Sequence, residues 1–410
     1  MRIVIAVDVF DPSAGYLEYY LADKLKKLGH TVCVLTFGTA RCVERVTLEE
    51  GFEVIRLPYF VVANYHRVPT FGALTYLTRF LRSERPHIVH LQPIYSWLAL
   101  VLLSCETIFN FVSVGSIMTG MPTLPSTWTF KRKMWFCVSK VLVKHFSEKR
   151  VNVIFAINKE LMELIIRSYD VSPDKFRIIP LGADPTLFKF RPHARTSIRK
   201  KLGFSSKDVV IVYSGKIYPS KGLDLLLEAA HPIISQNRHL KLLVVGKFTQ
   251  PEYEKEIHSL ISHLDLSHNI TFLPWVHRTK LADFYSASDI AVWPGASSIS
   301  IIEAASVGLP IVIADYPLEI HAIAYGNGFT FRIGDIAGLR KCLGLLASNG
   351  KLRRQMGHKS RLIVKEKLNW QIISKQYFDT YLTTLKGSQS PIKEHLADAR
   401  PRRYELLVIS

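Results

Sequence analysis

Two lysines and one glutamate set the first chemical expectation. In Ser214-Gly-Lys-Ile-Tyr-Pro-Ser-Lys-Gly222, Lys216 and Lys221 sit on a turn interrupted by Pro219, so two ammonium groups can converge on one anion while Gly215 lets the backbone come close to it. A second stretch, Trp293-Pro-Gly-Ala-Ser-Ser-Ile-Ser-Ile-Ile-Glu303, sets a small polar loop, Gly295 to Ser298, ahead of a helix expected to start near Ser300. The N–H groups of a first helical turn lack partners within the helix and attract anions. Glu303 falls in that turn, where a carboxylate can accept hydrogen bonds from a pair of ligand hydroxyls. The combination suits a diphosphate. Its structural rivals are two solvated lysines on a surface turn and a carboxylate that complements the helix macrodipole at a solvated N-terminus. A P-loop is excluded, because the spacing and the Lys-Ser/Thr ending of G-x-x-x-x-G-K-[ST] are missing.

These residues need strands and helices to hold them. Arg2 to Val7 is a continuous apolar run of the kind buried in a parallel sheet, followed by the turn cluster Asp11-Pro-Ser-Ala-Gly15 and a helix pattern from Tyr16 to Leu28. Further strands are expected at Thr31–Thr36, Phe52–Leu57, Ile88–Leu91, Phe111–Val114 and Val153–Ile157, with a helix at Phe71–Leu81. Pro180-Leu-Gly-Ala-Asp184 closes this half, and the basic stretch His193–Leu202 suggests a linker helix. The pattern then restarts with strands at Val209–Tyr213, Leu240–Val245 followed by Gly246, Ile270–Leu273, Ile290–Trp293 and Ile311–Ala314. Two successive halves of this kind predict two α/β domains with a ligand site in the cleft between them. The first turn has one glycine and no G-x-G-x-x-G pattern, so a dinucleotide fingerprint is absent.

Composition bounds the rest. A chain of 410 residues exceeds the size of a single growing core, and 48% hydrophobic with 21% charged residues describes a globular protein. The net charge of +19 favours anionic partners: nucleic acid, lipid headgroups or phosphorylated substrates. Cys33, Cys42, Cys105, Cys137 and Cys342 are scattered and odd in number, which argues against disulfides and zinc and for a reducing cytosol. No secretory signal is recognised in Met1-Arg-Ile-Val-Ile-Ala-Val7. Trp97 to Val114 is barely long enough to span a bilayer and carries Glu106, so it is expected to be a buried helix followed by a strand. Trp128 to Arg150 interleaves aromatics with basic residues; Lys131, Arg132, Lys133, Trp135 and Phe136 are the expected contacts with an anionic membrane surface, an ordinary amphipathic helix being the rival. Nucleic acid is disfavoured, since no recognised nucleic-acid module accompanies the charge.

The chain resembles the retaining GT-B glycosyltransferases of family four, the glycosyl transferases group 1. The resemblance rests on Gly15, Lys26-Lys-Leu-Gly-His-Thr-Val32, Pro180-Leu-Gly-Ala-Asp184, Gly215-Lys216 with Lys221-Gly222, Glu303-Ala-Ala-Ser-Val-Gly-Leu-Pro310 and Trp370, in that order up to about residue 385. It implies an α/β fold of two facing Rossmann-like doubly wound domains: 1–190 on the acceptor side, 191–385 binding a nucleotide sugar, and a flexible basic tail at 386–410. It also implies transfer of a sugar to a lipid-linked or glycan acceptor with retention of anomeric configuration and without a metal or other cofactor. Lys216 and Lys221 would hold the donor diphosphate and Glu303 the ribose hydroxyls, these three carrying the catalysis. Gly15, Gly215, Gly246, Ser297, Ser298 and Ile299 complete the expected donor-binding set. Two departures stand out: Gly295 lies eight positions before Glu303 where the family usually has a first glutamate, and Gly115 lies where a histidine is common. They keep one alternative open, a catalytically weak nucleotide-sugar-binding or partner protein; a nucleotide-sugar epimerase of similar two-domain architecture is a second. The expected location is the cytoplasmic face of a membrane, peripherally bound.

Overall fold

The computed structural model describes residues 1–62, 66–118, 130–295, 298–315 and 325–387. The chain divides into two compact units, Met1–Pro180 joined by the C-terminal helix Trp370–Gly387, and Leu181–Asn369. The division falls at Pro180 rather than at residue 190, and the closing helix belongs with the first unit, not with the second as expected from its place in the chain.

The first unit is built on a nine-stranded sheet. Its central strands are β1 (Arg2–Val7), β2 (Thr31–Gly38), β4 (Glu53–Val62), β6 (Ile88–Gln92), β7 (Val112–Ile117), β8 (Val151–Ala156) and β9 (Phe176–Ile178), all parallel, in the order β4-β2-β1-β6-β7-β8-β9. Their near-continuous apolar runs are what a sheet buried on both faces requires. The short strands β3 (Glu44–Thr47) and β5 (His66–Pro69) pair antiparallel with β4 and carry too few apolar residues to stand out in the sequence. Helices α1 (Leu17–Lys27), α2 (Phe71–Glu84), α3 (Trp97–Phe109), α4 (Phe130–Arg150) and α5 (Lys159–Tyr169) connect the strands. Sequence fixes several helix starts directly: Thr70, Ser96 and Asn158 each accept a hydrogen bond from the backbone N–H three residues on. As expected, Trp97–Val114 divides into a helix and a strand, and among the described residues no helix is long and apolar enough to cross a membrane.

In the second unit six parallel strands run β12-β11-β10-β13-β14-β15. They are β10 (Val209–Ile217), β11 (Leu240–Phe248), β12 (Ile270–Leu273), β13 (Ile290–Trp293), β14 (Ile311–Ala314) and β15 (Gly328–Phe331). Around them lie α6 (Pro192–Lys201), α7 (Leu223–Gln236), α8 (Pro251–His263), α9 (Arg278–Ala287), α10 (Ser300–Val307), α11 (Ile336–Ser348) and α12 (Gly350–Glu366). The expected linker is α6, and it is an integral part of this unit. Arg191 pairs with Asp283 at 2.7 Å, while Arg195 and Arg199 grip the two oxygens of Asp289 at 2.7 and 3.2 Å. Asp289 Oδ2 also accepts from the Val210 N–H at 2.8 Å, so one carboxylate ties α6 to the start of β10.

The closing helix, α13 (Trp370–Gly387), packs on the first unit through aromatic side chains. Trp370 stacks on Tyr20 at 4.9 Å and 14°, and Phe378 on His30 at 4.6 Å. Tyr381 Oη meets Nδ1 of the fully buried His90 at 2.6 Å, and the other ring nitrogen of His90 meets Ser116 Oγ. Burial without a charged partner pushes His90 down to about 3, so the ring is neutral in this network.

Candidate functional site

In the second unit the two motifs meet beyond the carboxyl ends of β10 and β13, the position where open parallel sheets bind ligands. β10 runs on through Lys216 to Ile217, so Lys216 stands at a strand end and not in the expected turn. Its side chain is exposed, and its carbonyl accepts the Tyr213 hydroxyl at 2.9 Å. A single helical turn, Pro219–Lys221, follows and ends on Gly222, whose φ of 69° suits glycine and starts α7. Lys221 is only 8% exposed, its ammonium 5.7 Å from the centre of the Tyr218 ring.

The segment after β13 lies directly against this arm. Trp293 Nε1 donates to the Ser214 carbonyl at 2.9 Å, Pro294 adjoins Gly222, and Ser298 Oγ lies beside Gly215. Tyr285 closes the arrangement from α9: its hydroxyl is 2.7 Å from Ser214 Oγ and donates to the Ser300 carbonyl at 3.5 Å. Thus Gly215, Lys221, Gly222, Ser298 and the start of α10 form one wall. Ile299 caps α10, its carbonyl taking the N–H groups of Ile302 and Glu303. Gly246 has a different role: it is buried opposite Gly215, and a Cβ there would come within 2.0 Å of the Gly215 carbonyl oxygen. It lets β10 and β11 close up. Ser297 lies outside the described residues, and Gly15, with φ 58°, belongs to the turn before α1 in the first unit.

The departures at positions 295 and 115 have steric causes. A Cβ on Gly295 would lie 2.2 Å from the Ser220 carbonyl oxygen and 2.6 and 2.7 Å from Lys221 C and Cα. Gly295 lies against the lysine arm, and the space of a side chain is taken by backbone. On Gly115 a Cβ would lie 2.0 Å from Ile94 Cγ2. Both positions are packed shut in this fold.

Glu303 is not at a solvated helix end. It is 2% exposed and accepts from Arg278, at 2.6 Å from Nη2 and 3.2 Å from Nε. Burial raises its pKa, and Arg278 acts against that shift. A macrodipole role at a wet N-terminus therefore fails, since the residue is half of a buried ion pair.

Three further residues at this wall are absent from the sequence expectations. Lys247 on β11 is in register with Lys216 and, like it, exposed. With Phe248, Thr249 and the half-exposed Trp275, the two lysines line a recess of about 480 Å³. Only strand register reveals Lys247. Arg278 and Tyr285 stand on one face of α9 at the spacing of two helical turns, a signal present in the sequence but indistinguishable there from an ordinary amphipathic helix.

Two family models match the chain, Glycosyltransferase Family 4 over residues 17–187 and Glycosyl transferases group 1 over residues 194–362. The chain belongs to the glycosyl transferases of group 1. It is similar to the phosphatidylinositol N-acetylglucosaminyltransferase GPI3 subunit of Saccharomyces cerevisiae (strain YJM789), with 28% identity over 323 residues, 76% of this chain and 67% of that protein. It is also similar to D-inositol 3-phosphate glycosyltransferase of Rhodococcus jostii (strain RHA1), with 32% identity over 172 residues, 40% of this chain and 37% of the relative. Among solved structures, Anabaena HepE in complex with UDP superimposes with a TM-score of 0.76 at 17% identity, covering 93% of this chain and 100% of that one. Sucrose-phosphate synthase from Thermosynechococcus elongatus does so with 0.74 at 19% identity, covering 94% and 99%. The fold is that of the GT-B glycosyltransferases, with two Rossmann-like domains.

Proposed function

We propose that this glycosyltransferase moves a sugar from a nucleoside diphosphate sugar to an inositol-bearing or other lipid-linked acceptor, with retention of anomeric configuration. The observation that carries the donor reading is the contact between the Gly215–Gly222 arm and the Pro294–Ser300 segment, which places Lys221 and the start of α10 on one wall. As the glycosidic bond breaks, charge grows on the phosphate oxygen that leaves, and fixed cations with helix-end N–H groups stabilise it without reorganising. Lys216 and Lys221 serve that charge, with Lys247 in register beside Lys216. The exposed indole of Trp275 offers a face on which a base can stack. The yeast phosphatidylinositol N-acetylglucosaminyltransferase subunit and the Rhodococcus D-inositol 3-phosphate glycosyltransferase are both named for inositol substrates, which supports that acceptor class.

Each lysine contributes a charge-assisted hydrogen bond of about 1.5–3 kcal/mol, so Lys216→Ala or Lys221→Ala should weaken UDP or GDP binding by roughly ten- to a hundredfold. The uncharged nucleoside should bind nearly as before. Calorimetric titration decides: unchanged diphosphate affinity in both variants would remove the site. Transfer assays with UDP- and GDP-sugars and phosphatidylinositol then test the reaction. A second reading, a nucleotide-sugar-binding protein without transfer activity, is favoured by the closed space at Gly295, where the family's first glutamate would stand. Donor binding with neither transfer nor hydrolysis would select it.

Membrane association at α4 is the second part of the proposal. The side chains of Lys131, Arg132, Lys133, Trp135 and Phe136 lie outside the described residues. Further along the helix Met134, Val138 and Val141 are exposed at spacings of four and three, 55%, 44% and 68%, an apolar stripe turned to solvent. Each cation near an anionic bilayer contributes about 1 kcal/mol, so changing Lys131, Arg132 and Lys133 to Glu should release the protein from phosphatidylserine vesicles while leaving UDP affinity intact. Co-sedimentation of the unmodified protein that is indifferent to lipid charge would discard the contact.

A further inference from the structure

We infer that Arg278 is a positioning residue for donor binding: it holds Glu303 by one carboxylate oxygen and reserves the other for a ribose hydroxyl. The inference rests on the reading of Glu303 as the ribose acceptor. Its first support is the shape of the contact. Arg278 Nη2 and Nε both converge on Glu303 Oε1, at 2.6 and 3.2 Å, and Oε2 has no hydrogen bond among the described residues. An arginine–carboxylate pair optimised for itself aligns two N–H groups with two oxygens. Here the fork closes on one oxygen and leaves the lone pairs of the other available.

The second support is the placement of the cation. Arg278 is the first residue of α9, where the helix macrodipole opposes a positive charge. The helix end itself does not favour an arginine there. It is nevertheless fixed from two sides, by Glu303 and by the Phe188 ring, whose centroid lies 5.3 Å from the guanidinium carbon. Phe188 in turn is anchored through its carbonyl, which accepts from Ser306 Oγ at 2.7 Å and from Arg361 of α12 at 2.9 Å. The side chains of Arg278 and Glu303 are 10% and 3% exposed, so neither ion can turn to water for compensation.

The arrangement has a chemical purpose. A buried carboxylate tends to take up a proton, and a protonated one presents a donor and a weaker acceptor to the ribose. Among the described residues the charged or titratable groups facing Glu303 are Arg278 and Tyr285, both on α9; Arg361 on α12 faces Ser306 instead. Burial pushes Tyr285 far up, so it stays neutral, and among the described residues Arg278 is the group that acts against the burial shift of Glu303 toward the protonated form. Tyr285, on the same helical face, fixes the start of α10 through the Ser300 carbonyl. α9 thus sets both the charge and the direction of the Glu303 carboxylate.

The test measures the ratio of affinities for UDP and 2′-deoxy-UDP, with GDP and 2′-deoxy-GDP as the parallel pair, in the full chain and in Arg278→Gln and Arg278→Lys. The unmodified protein should prefer the ribonucleotide by roughly tenfold or more, one charge-assisted hydrogen bond. Arg278→Gln should abolish that preference while changing deoxynucleotide affinity less than about twofold. Arg278→Lys keeps the buried charge and so preserves the fold, yet it lacks the fixed pair of N–H groups and should reduce the preference by about threefold or more. In the unmodified protein the preference should fade as pH drops through the raised pKa of Glu303; in Arg278→Lys, which keeps a reduced preference, it should fade at higher pH. A ribonucleotide preference that survives in folded Arg278 variants with an unshifted pH profile would reduce the pair to a structural contact and overturn the inference. Equal binding of ribo- and deoxynucleotide by the unmodified protein is a different failure, since it removes the reading of Glu303 itself.

Discussion

Replacing Asp289 by alanine should lower the stability of the second unit by about 3–5 kcal/mol, the cost of breaking a buried ion pair by removing one partner. The effect is large because three groups lose this carboxylate together: the Arg195 and Arg199 guanidinium groups, which keep only carbonyl acceptors among the described residues, and the Val210 N–H. Arg199 is 7% exposed and would be left with a charge that only carbonyls of Ala287, Ser205 and Asp208 can solvate. Asp289→Asn keeps the shape and an acceptor oxygen and should lose less. Urea denaturation of the three proteins measures the difference, and a loss below about 1 kcal/mol for the alanine variant would mean that α6 is held by packing and the ion pairs are incidental.

Gly295→Ala should be nearly as damaging and should damage binding as well. A methyl group at 2.2 Å from the Ser220 oxygen and 2.6 Å from Lys221 C cannot be accommodated by rotating a side chain, because both neighbours are backbone. Overpacking of this kind costs about 1–3 kcal/mol, and any relief must move the turn that carries Lys221. UDP affinity should therefore fall by about tenfold or more, equivalent to ~1.4 kcal/mol. Gly295→Glu, intended to supply the family's first glutamate, should do the same instead of increasing activity. Parental melting temperature and UDP affinity in Gly295→Ala would show that the loop withdraws freely from the lysine arm.

Much of this architecture was legible from residue order. The strands of both sheets follow apolar runs such as Arg2–Val7 and Ile311–Ala314, because a parallel strand buried on both faces needs no alternation and leaves an unmistakable block. Lys216, Lys221 and Gly222 declared themselves through the glycine that starts a helix in a left-handed conformation. What escaped were relations between distant positions. The basic helix α6 passes for a linker because its counter-charges, Asp283 and Asp289, lie far along the chain on and just after α9. Glu303 passes for a surface helix start for the same reason: its partner Arg278 belongs to another helix, and burial is not written in the local sequence. Lys247 became visible only when the register placed it beside Lys216. Helix α13 was assigned to the unit that precedes it, since an amphipathic pattern states that a face is buried and not against what.

The return of α13 to the first unit also orders events during synthesis. Residues 181–369 emerge from the ribosome as a contiguous length and can complete their fold while the last segment is still being made. The first unit, although it emerges earlier, must wait: the ring that stacks on Tyr20 and the hydroxyl that meets His90 Nδ1 arrive only with Trp370 and Tyr381. The amino-terminal unit is thus the later of the two to be finished. A chain truncated after Asn369 would carry every residue of the second unit and a first unit without the helix that stacks on Tyr20 and meets His90.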